Sequence, residues 1–387
     1  MSTVTDRPVW LTAADCRLED FRAVVEQTTD PHDYAYADAI ESNVPIYGAG
    51  LRHHVGTPEG RREVQAELTR ALADGPGIVV FRQAFEPTVV NRATEEFEQM
   101  IAEQKAAGVV GGDHFAKPGA NDRVWGALDK FAVRAPDAFA DYYANDLLAL
   151  ICEAWLGPGY QVTSQINVVN PGGKAQVAHR DYHLGFMSQQ QAQQYPAHVH
   201  LLSSALTLQG AVAHVDMPVE TGPTLYLPHS QKYPVGYLAF HQPEFTEYFD
   251  AHYVQLPLRK GDAAFFNPAL FHGAGTNRST DVRRMANLLQ VSSAFGRAME
   301  SVGRTAMSIA IYPVLRRLTD EGAVRNVVAA SAEGYAFPTN LDRDQPVDGL
   351  APKTQAELVH QALRDQWDNH QLAEALDAHR QRRLPPA

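Results

Sequence analysis

Two histidines and an aspartate carry the most informative chemistry in this chain. His179 and Asp181 stand in the triplet His179-Arg180-Asp181, and His272 stands in the run FFNPALFHGAGTNRS. Alternate residues of an extended segment project to the same side, so His179 and Asp181 can converge on one ion without strain. A third ligand from a distant strand completes a triangular face and leaves the opposite side open. A 2-His-1-carboxylate face with open positions suits a non-haem Fe(II) oxygenase. In a chain with 16 histidines and 45 acidic residues a chance His-x-Asp is common, so the flanking elements have to support the reading.

They do so on both sides. QVTSQINVVN (161–170) is rich in β-branched residues, and the turn Pro171-Gly172-Gly173 and a short strand ending at Ala178 follow it. That order puts His179 at a strand end, where side chains point into a barrel mouth. Ahead of His272, YVQLPL (253–258) leads through the turn Arg259-Lys260-Gly261-Asp262 into AAFFNP. Beyond it, Arg283 and Arg284 open the strand RMANLLQVS.

Four ordered segments resemble the phytanoyl-CoA dioxygenase family of Fe(II)/2-oxoglutarate oxygenases: HRDYHLGF (179–186), ETGPTLYLPHSQK (220–232), KGDAAFFNPALFHGAGTNRS (260–279) and the arginine after His272. The resemblance spans roughly 160–295, with fainter support from the helix-strand-helix before it. It implies an α+β fold with a mainly β core: a double-stranded β-helix (jelly-roll, cupin-like) barrel flanked by N- and C-terminal helices. It further implies that His179, Asp181 and His272 hold Fe(II), that 2-oxoglutarate chelates the metal, and that a cation binds its far carboxylate. Arg283 occupies the family's position for that cation, and Arg284 is the alternative. A planar guanidinium that never loses its charge suits a carboxylate, and strand alternation allows only one of the two to face inward.

Thr163, Gln165 and Asn167 share one face of their strand. Polar groups repeating on an inward face are costly unless partnered, and a bound dicarboxylate is such a partner, so Asn167 and Gln165 are co-substrate candidates. The alternative is that this face meets solvent. Ala274 departs from the family, since many relatives carry serine there, which puts one hydrogen bond to the co-substrate in doubt. His183 is either a group at the active-site mouth or a structural histidine. His214 and His229 read as structural, His53-His54 as a solvated pair, and Asp113-His114 as a surface turn rather than a substrate entrance.

Composition narrows the remaining choices. Of 387 residues, 45% are hydrophobic and 20% charged, an ordinary globular balance, and a formal charge of −12 argues against nucleic-acid backbones or anionic membranes as partners. Cys16 and Cys152 give no disulfide framework, which suits a reducing compartment, so a cytoplasmic protein is expected; the family resemblance implies a small-molecule substrate and O2 as partners, and a monomer or homodimer is expected. The N-terminus lacks a signal pattern, and LLALICEAWL (147–156) is too short to span a bilayer.

One catalytic core wrapped by helices is the simplest organisation: an N-terminal extension (1–60), a jelly-roll core with flanking helices (61–300) and a helical extension packing on it (301–387). Helices are expected over 61–74, 86–108, 136–156, 301–318 and 354–383, a strand over 77–85, a loop-rich stretch over 319–350, and an insertion at 183–205 placed to act as a lid. Hydroxylation of an unactivated C–H bond is the expected reaction. A zinc hydrolase would lack a use for the arginine and shows no HExxH motif. A non-catalytic jelly-roll that binds metal or a small ligand is the other class.

Overall fold

The computed structural model describes residues 8–108, 119–347 and 349–385; Asp113 and His114 lie outside them. The strands in chain order are β1 (Ala39–Glu41), β2 (Val44–Tyr47), β3 (Ile78–Phe81), β4 (Asn121–Val124), β5 (Gln161–Val169), β6 (Thr207–Ala213), β7 (Leu225–Leu227), β8 (Val254–Gln255), β9 (Ala263–Phe266), β10 (Phe271–Gly273) and β11 (Arg284–Ser292). Among the described residues they form an eight-stranded sheet, ordered β1-β2-β3-β9-β6-β11-β5-β4, and a three-stranded sheet, β10-β7-β8. The large sheet is antiparallel apart from the β2–β3 pair. The chain is thus mixed α/β, with a large, mostly antiparallel sheet and helices packed on it.

Alternation along each strand separates the two faces of the large sheet. Val162, Ile166 and Val168 of β5, with Leu208 and Val212 of β6, join the helices in the main core, which includes Phe97, Phe131, Leu150 and Ile311. The opposite face carries Val80, Ala213, Ala264 and Phe266, which pack with Tyr226 of the small sheet and Leu256, Leu258 and Leu270. Residues of both sheets, among them Asn167, Ala264 and Arg284 on the large one and Tyr226 and His272 on the small one, line one cavity.

Several elements differ from the sequence reading for local reasons. The helix expected over 136–156 is two, Pro136–Tyr143 and Asp146–Leu156, because Asn145 caps the second by accepting from Leu148 N. The 354–383 helix breaks likewise at Asp368, whose carboxylate accepts from Gln371 N. The stretch 319–350 holds a helix, Glu321–Ser331, capped by Asp320. Ala178 ends no strand; His179 instead makes an isolated bridge to His272. The last helix buries Leu372 and Leu376 in the chain's own core. No helix among the described residues is long and apolar enough to cross a membrane.

His214 and His229 are structural, as the sequence suggests. His214 is fully buried between Thr94 and Tyr142, at 2.8 and 3.0 Å. Burial pushes its pKa from 6.5 down to about 3, and that of His229 down to about 4. Each folded-state value lies below its unfolded value, so the unfolded chain binds protons first on acidification. The stability these groups hold above pH 6.5 is lost as the pH falls. Urea unfolding should therefore show His214 alone costing about 2 kcal/mol between pH 6.5 and pH 5; an unchanged midpoint would refute its burial as a neutral ring.

Candidate metal centre

His179 and Asp181 come from the segment after β5, and His272 from β10. The two segments are held together by a reciprocal pair of backbone bonds, His179 N to His272 O (3.0 Å) and His272 N to His179 O (3.2 Å). This bridge brings the two rings to a centroid separation of 4.5 Å. One donor atom from each of His179, Asp181 and His272 lies within 4.8 Å of the others. His179 Nε2 is 3.7 Å from Asp181 Oδ1, and His272 Nε2 is 3.4 Å from Asp181 Oδ2.

The ring tautomers follow from the backbone. His179 Nδ1 donates to Val177 O and His272 Nδ1 to Leu270 O, each at 2.8 Å. Both protons are thereby placed on Nδ1, leaving both Nε2 lone pairs directed at the shared space. Burial pushes the Asp181 carboxyl upward, but when the rings carry a proton on Nε2 as well, His272 and His179, with the Gln209 amide, outweigh it and hold the group well below the usual carboxylate range. Two neutral imidazoles and one carboxylate on a single face form a donor set that fits a divalent first-row metal.

Arg180, between the two ligands, turns the other way and is buried. Its guanidinium donates to Ser230 O and Tyr233 O and lies against the rings of Tyr237 and Phe271. A Cβ at Gly236 would overlap it, so this approach requires glycine. The cation thus ties the His179–Asp181 segment to the loop before Tyr237 and to the residue next to His272.

The triad opens into a cavity of about 190 Å³, a space for small organic molecules, whose walls include Gln165, Asn167, Gln209, Tyr226, Ala274 and Arg284. The inward arginine is Arg284, which corrects the choice of Arg283. Arg284 is 7% exposed, is paired in register with Val169, and among the described residues donates to Gly275 O at 3.4 Å. It has no carboxylate partner among the described residues, and burial pushes its pKa down to about 10. Arg283 points outward, to Asp122 at 3.2 Å and Glu98 at 3.9 Å. A buried guanidinium with so few partners fits the far carboxylate of a dicarboxylic acid.

Gln165 and Asn167 face the cavity, and Asn167 Oδ1 is buried without a partner among the described residues. Thr163 is also buried, but donates to Gln290 O. His183 sits in a short 3-10 turn with Nδ1 3.2 Å from Ser203 Oγ, and it does not line the cavity. The 183–205 insertion is largely helical, and its Phe186, 59% exposed, stands at the cavity wall. Sequence reasoning missed Gln209, whose Nε2 donates to Asp181 Oδ2, and Arg123, which donates to Gln165 Oε1 at 2.7 Å and stacks on Trp125. Gln209 was findable in principle, since the alternation of TLQGAVA places it on one face with Ala211 and Ala213.

A family model described as phytanoyl-CoA dioxygenase (PhyH) matches residues 73–285. No curated protein matches the chain. Among solved structures it is similar to the non-haem α-ketoglutarate-dependent epimerase SnoN from nogalamycin biosynthesis, at 20% identity and a TM-score of 0.40, covering 62% of this chain and 85% of that one. It is similar to the carbocyclase SnoK of the same biosynthesis at 20% identity and a TM-score of 0.44, over 60% and 86% of the two chains. HygX from Streptomyces hygroscopicus, with nickel and 2-oxoglutarate bound, aligns at 16% identity and a TM-score of 0.40, over 59% and 87%.

Proposed function

The chain belongs to the phytanoyl-CoA dioxygenase family, and from that premise we propose that it is an Fe(II)/2-oxoglutarate-dependent dioxygenase that hydroxylates an unactivated C–H bond of a small-molecule metabolite. The observation that carries this reading is a single cavity walled by both the His179, Asp181 and His272 donor set and the buried guanidinium of Arg284. A zinc hydrolase uses a similar donor set but has no need for such an arginine.

The roles divide as follows. His179 and His272 offer Nε2 and Asp181 offers a carboxylate oxygen to the metal. Arg284 binds the far carboxylate of 2-oxoglutarate, and Asn167 offers its amide beside it. Gln165 is held by Arg123 rather than free for the co-substrate. Ala274 leaves one wall of this region without the hydroxyl that many relatives carry. The bound iron and keto acid supply an O2-dependent oxidation that yields succinate and CO2. The protein's own work is to orient the co-substrate by its charged end, to keep Asp181 ionised, and to set the substrate against the metal's open side. Asp181 also speaks against halogenation, in which related enzymes replace the carboxylate with a small residue.

The same reading takes the two facing sheets as a jelly-roll barrel, with residues 61–300 as the dioxygenase core, 1–60 as an N-terminal extension and 301–387 packing on it. It places the enzyme in the cytoplasm as a monomer or homodimer. The expected result is a visible charge-transfer band when Fe(II) and 2-oxoglutarate are added to the protein without oxygen, and its loss on chelation. On admitting O2, succinate should form. A band without succinate under any candidate substrate would favour a non-catalytic binding protein.

A further inference from the structure

Three glutamines stand on the inner face of the large sheet beside the metal centre: Gln165 on β5, Gln209 on β6 and Gln290 on β11. All are buried and line the cavity, and Gln209 and Gln290 are register partners. A carboxamide's two ends are distinguished only by its partners. Here the partners decide. Gln209 Nε2 donates to Asp181 Oδ2. An ionised carboxylate only accepts, so Gln209 Oε1 must face away from it. That oxygen is buried with no partner among the described residues.

The second glutamine is fixed from the opposite direction. Arg123 can only donate, and its Nη2 meets Gln165 Oε1 at 2.7 Å. Gln165 Nε2 is therefore a donor, and it reaches Gln290 Oε1 at 3.1 Å. Gln290 thus has its oxygen engaged, which leaves its Nε2 hydrogens as the donors this side chain can offer. The result is one acceptor, Gln209 Oε1, and one donor, Gln290 Nε2, on residues that face each other across an antiparallel pair, with Cβ atoms about 5 Å apart. Neither atom is among the groups assigned above to the metal or to the keto acid.

The geometry points to this pair as the substrate-recognition element, reading an uncharged hydroxyl group on the substrate. This inference rests on the oxygenase reading for what happens next, but not for binding. A hydroxyl oxygen seated between the two donates its proton to Gln209 Oε1 and accepts from Gln290 Nε2, so one atom satisfies both. A carboxylate would face Gln209 Oε1 with no proton to give, and an ammonium would leave Gln290 Nε2 without an acceptor. The apolar rim, with Phe186 59% and Met299 36% exposed, covers the carbon skeleton. The substrate class is therefore a neutral alcohol, polyol or glycosyl ring bearing its hydroxyl near the oxidised carbon.

The test compares four probes sharing one ring, cyclohexanol, cyclohexylamine, cyclohexanecarboxylate and cyclohexanecarboxamide, by saturation-transfer NMR with the full chain. Cyclohexanol should bind best. In Gln290→Glu, which keeps the size and the bond from Gln165 but replaces the donor with an acceptor, its affinity should fall about fivefold to tenfold. The same change should favour cyclohexylamine, which can donate to both residues. Such a reversal of preference cannot come from a loss of folding. No transfer to cyclohexanol, equal or better binding of the carboxylate or carboxamide, or an unaltered order in Gln290→Glu overturns the inference. The two readings fail separately: cyclohexanol binding without the iron band counts against the oxygenase, and the band without a hydroxyl preference counts against this inference.

Discussion

Replacing Arg284 with methionine should raise the KM for 2-oxoglutarate by roughly thirtyfold to several thousandfold, while Arg283→Ala should leave it within about twofold. Removing one partner of a buried, hydrogen-bonded charge pair costs about 2–5 kcal/mol, and each 1.4 kcal/mol is tenfold in affinity. Of these two arginines Arg284 lines the cavity, whereas Arg283 is occupied outside it by Asp122 and Glu98. The stability of the ligand-free protein gives a second measure. A buried guanidinium whose hydrogen bond among the described residues goes to Gly275 O carries a desolvation cost that methionine does not, so Arg284→Met should unfold at an equal or higher temperature. A large loss of stability together with an unchanged KM would show that Arg284 serves the fold rather than the co-substrate.

Asp181→Ala and His272→Ala should each abolish the iron–keto acid band and reduce 2-oxoglutarate turnover to the level of protein-free iron. Loss of an outer-shell partner already costs about tenfold to a hundredfold in metal affinity, and loss of one of three direct ligands should exceed that. Asp181 matters most, since it contributes the only negative charge in the triad. With it gone, the two Nε2 atoms still converge, but nothing on that face offsets the charge of the ion. Equilibrium dialysis of each variant against Fe(II) measures this directly. Retention of metal by Asp181→Ala at the affinity of the unchanged protein would exclude the triad as the site.

Where the sequence succeeded, the signal was local or was carried by an ordered motif. The His-x-Asp spacing, the second histidine in its strand and the inward alternation of Thr163, Gln165 and Asn167 need only a period of two and the residue types. The resemblance over several ordered segments supplied the family, which the match over residues 73–285 shows. Helix breaks were less legible. Asn145 and Asp368 each cap a new helix inside an amphipathic stretch whose apolar spacing continues across the break.

The tertiary structure decided which of two adjacent arginines enters the cavity. Alternation requires that Arg283 and Arg284 diverge, but it does not set the phase. That is set by the pairing of β11 with β5 and β6, where Ala286 meets Asn167 on one side and Ala213 on the other; a slip by one residue would exchange the two faces. Gln209 and Arg123 lie outside the recognised motifs because what they do depends on neighbours across the sheet, Asp181 and Gln165. Sequence alone thus determined the ligand types and their spacing, because those depend on the period of a single strand. Which arginine and which amides line the cavity was decided by register between strands far apart in the chain, which no single segment encodes.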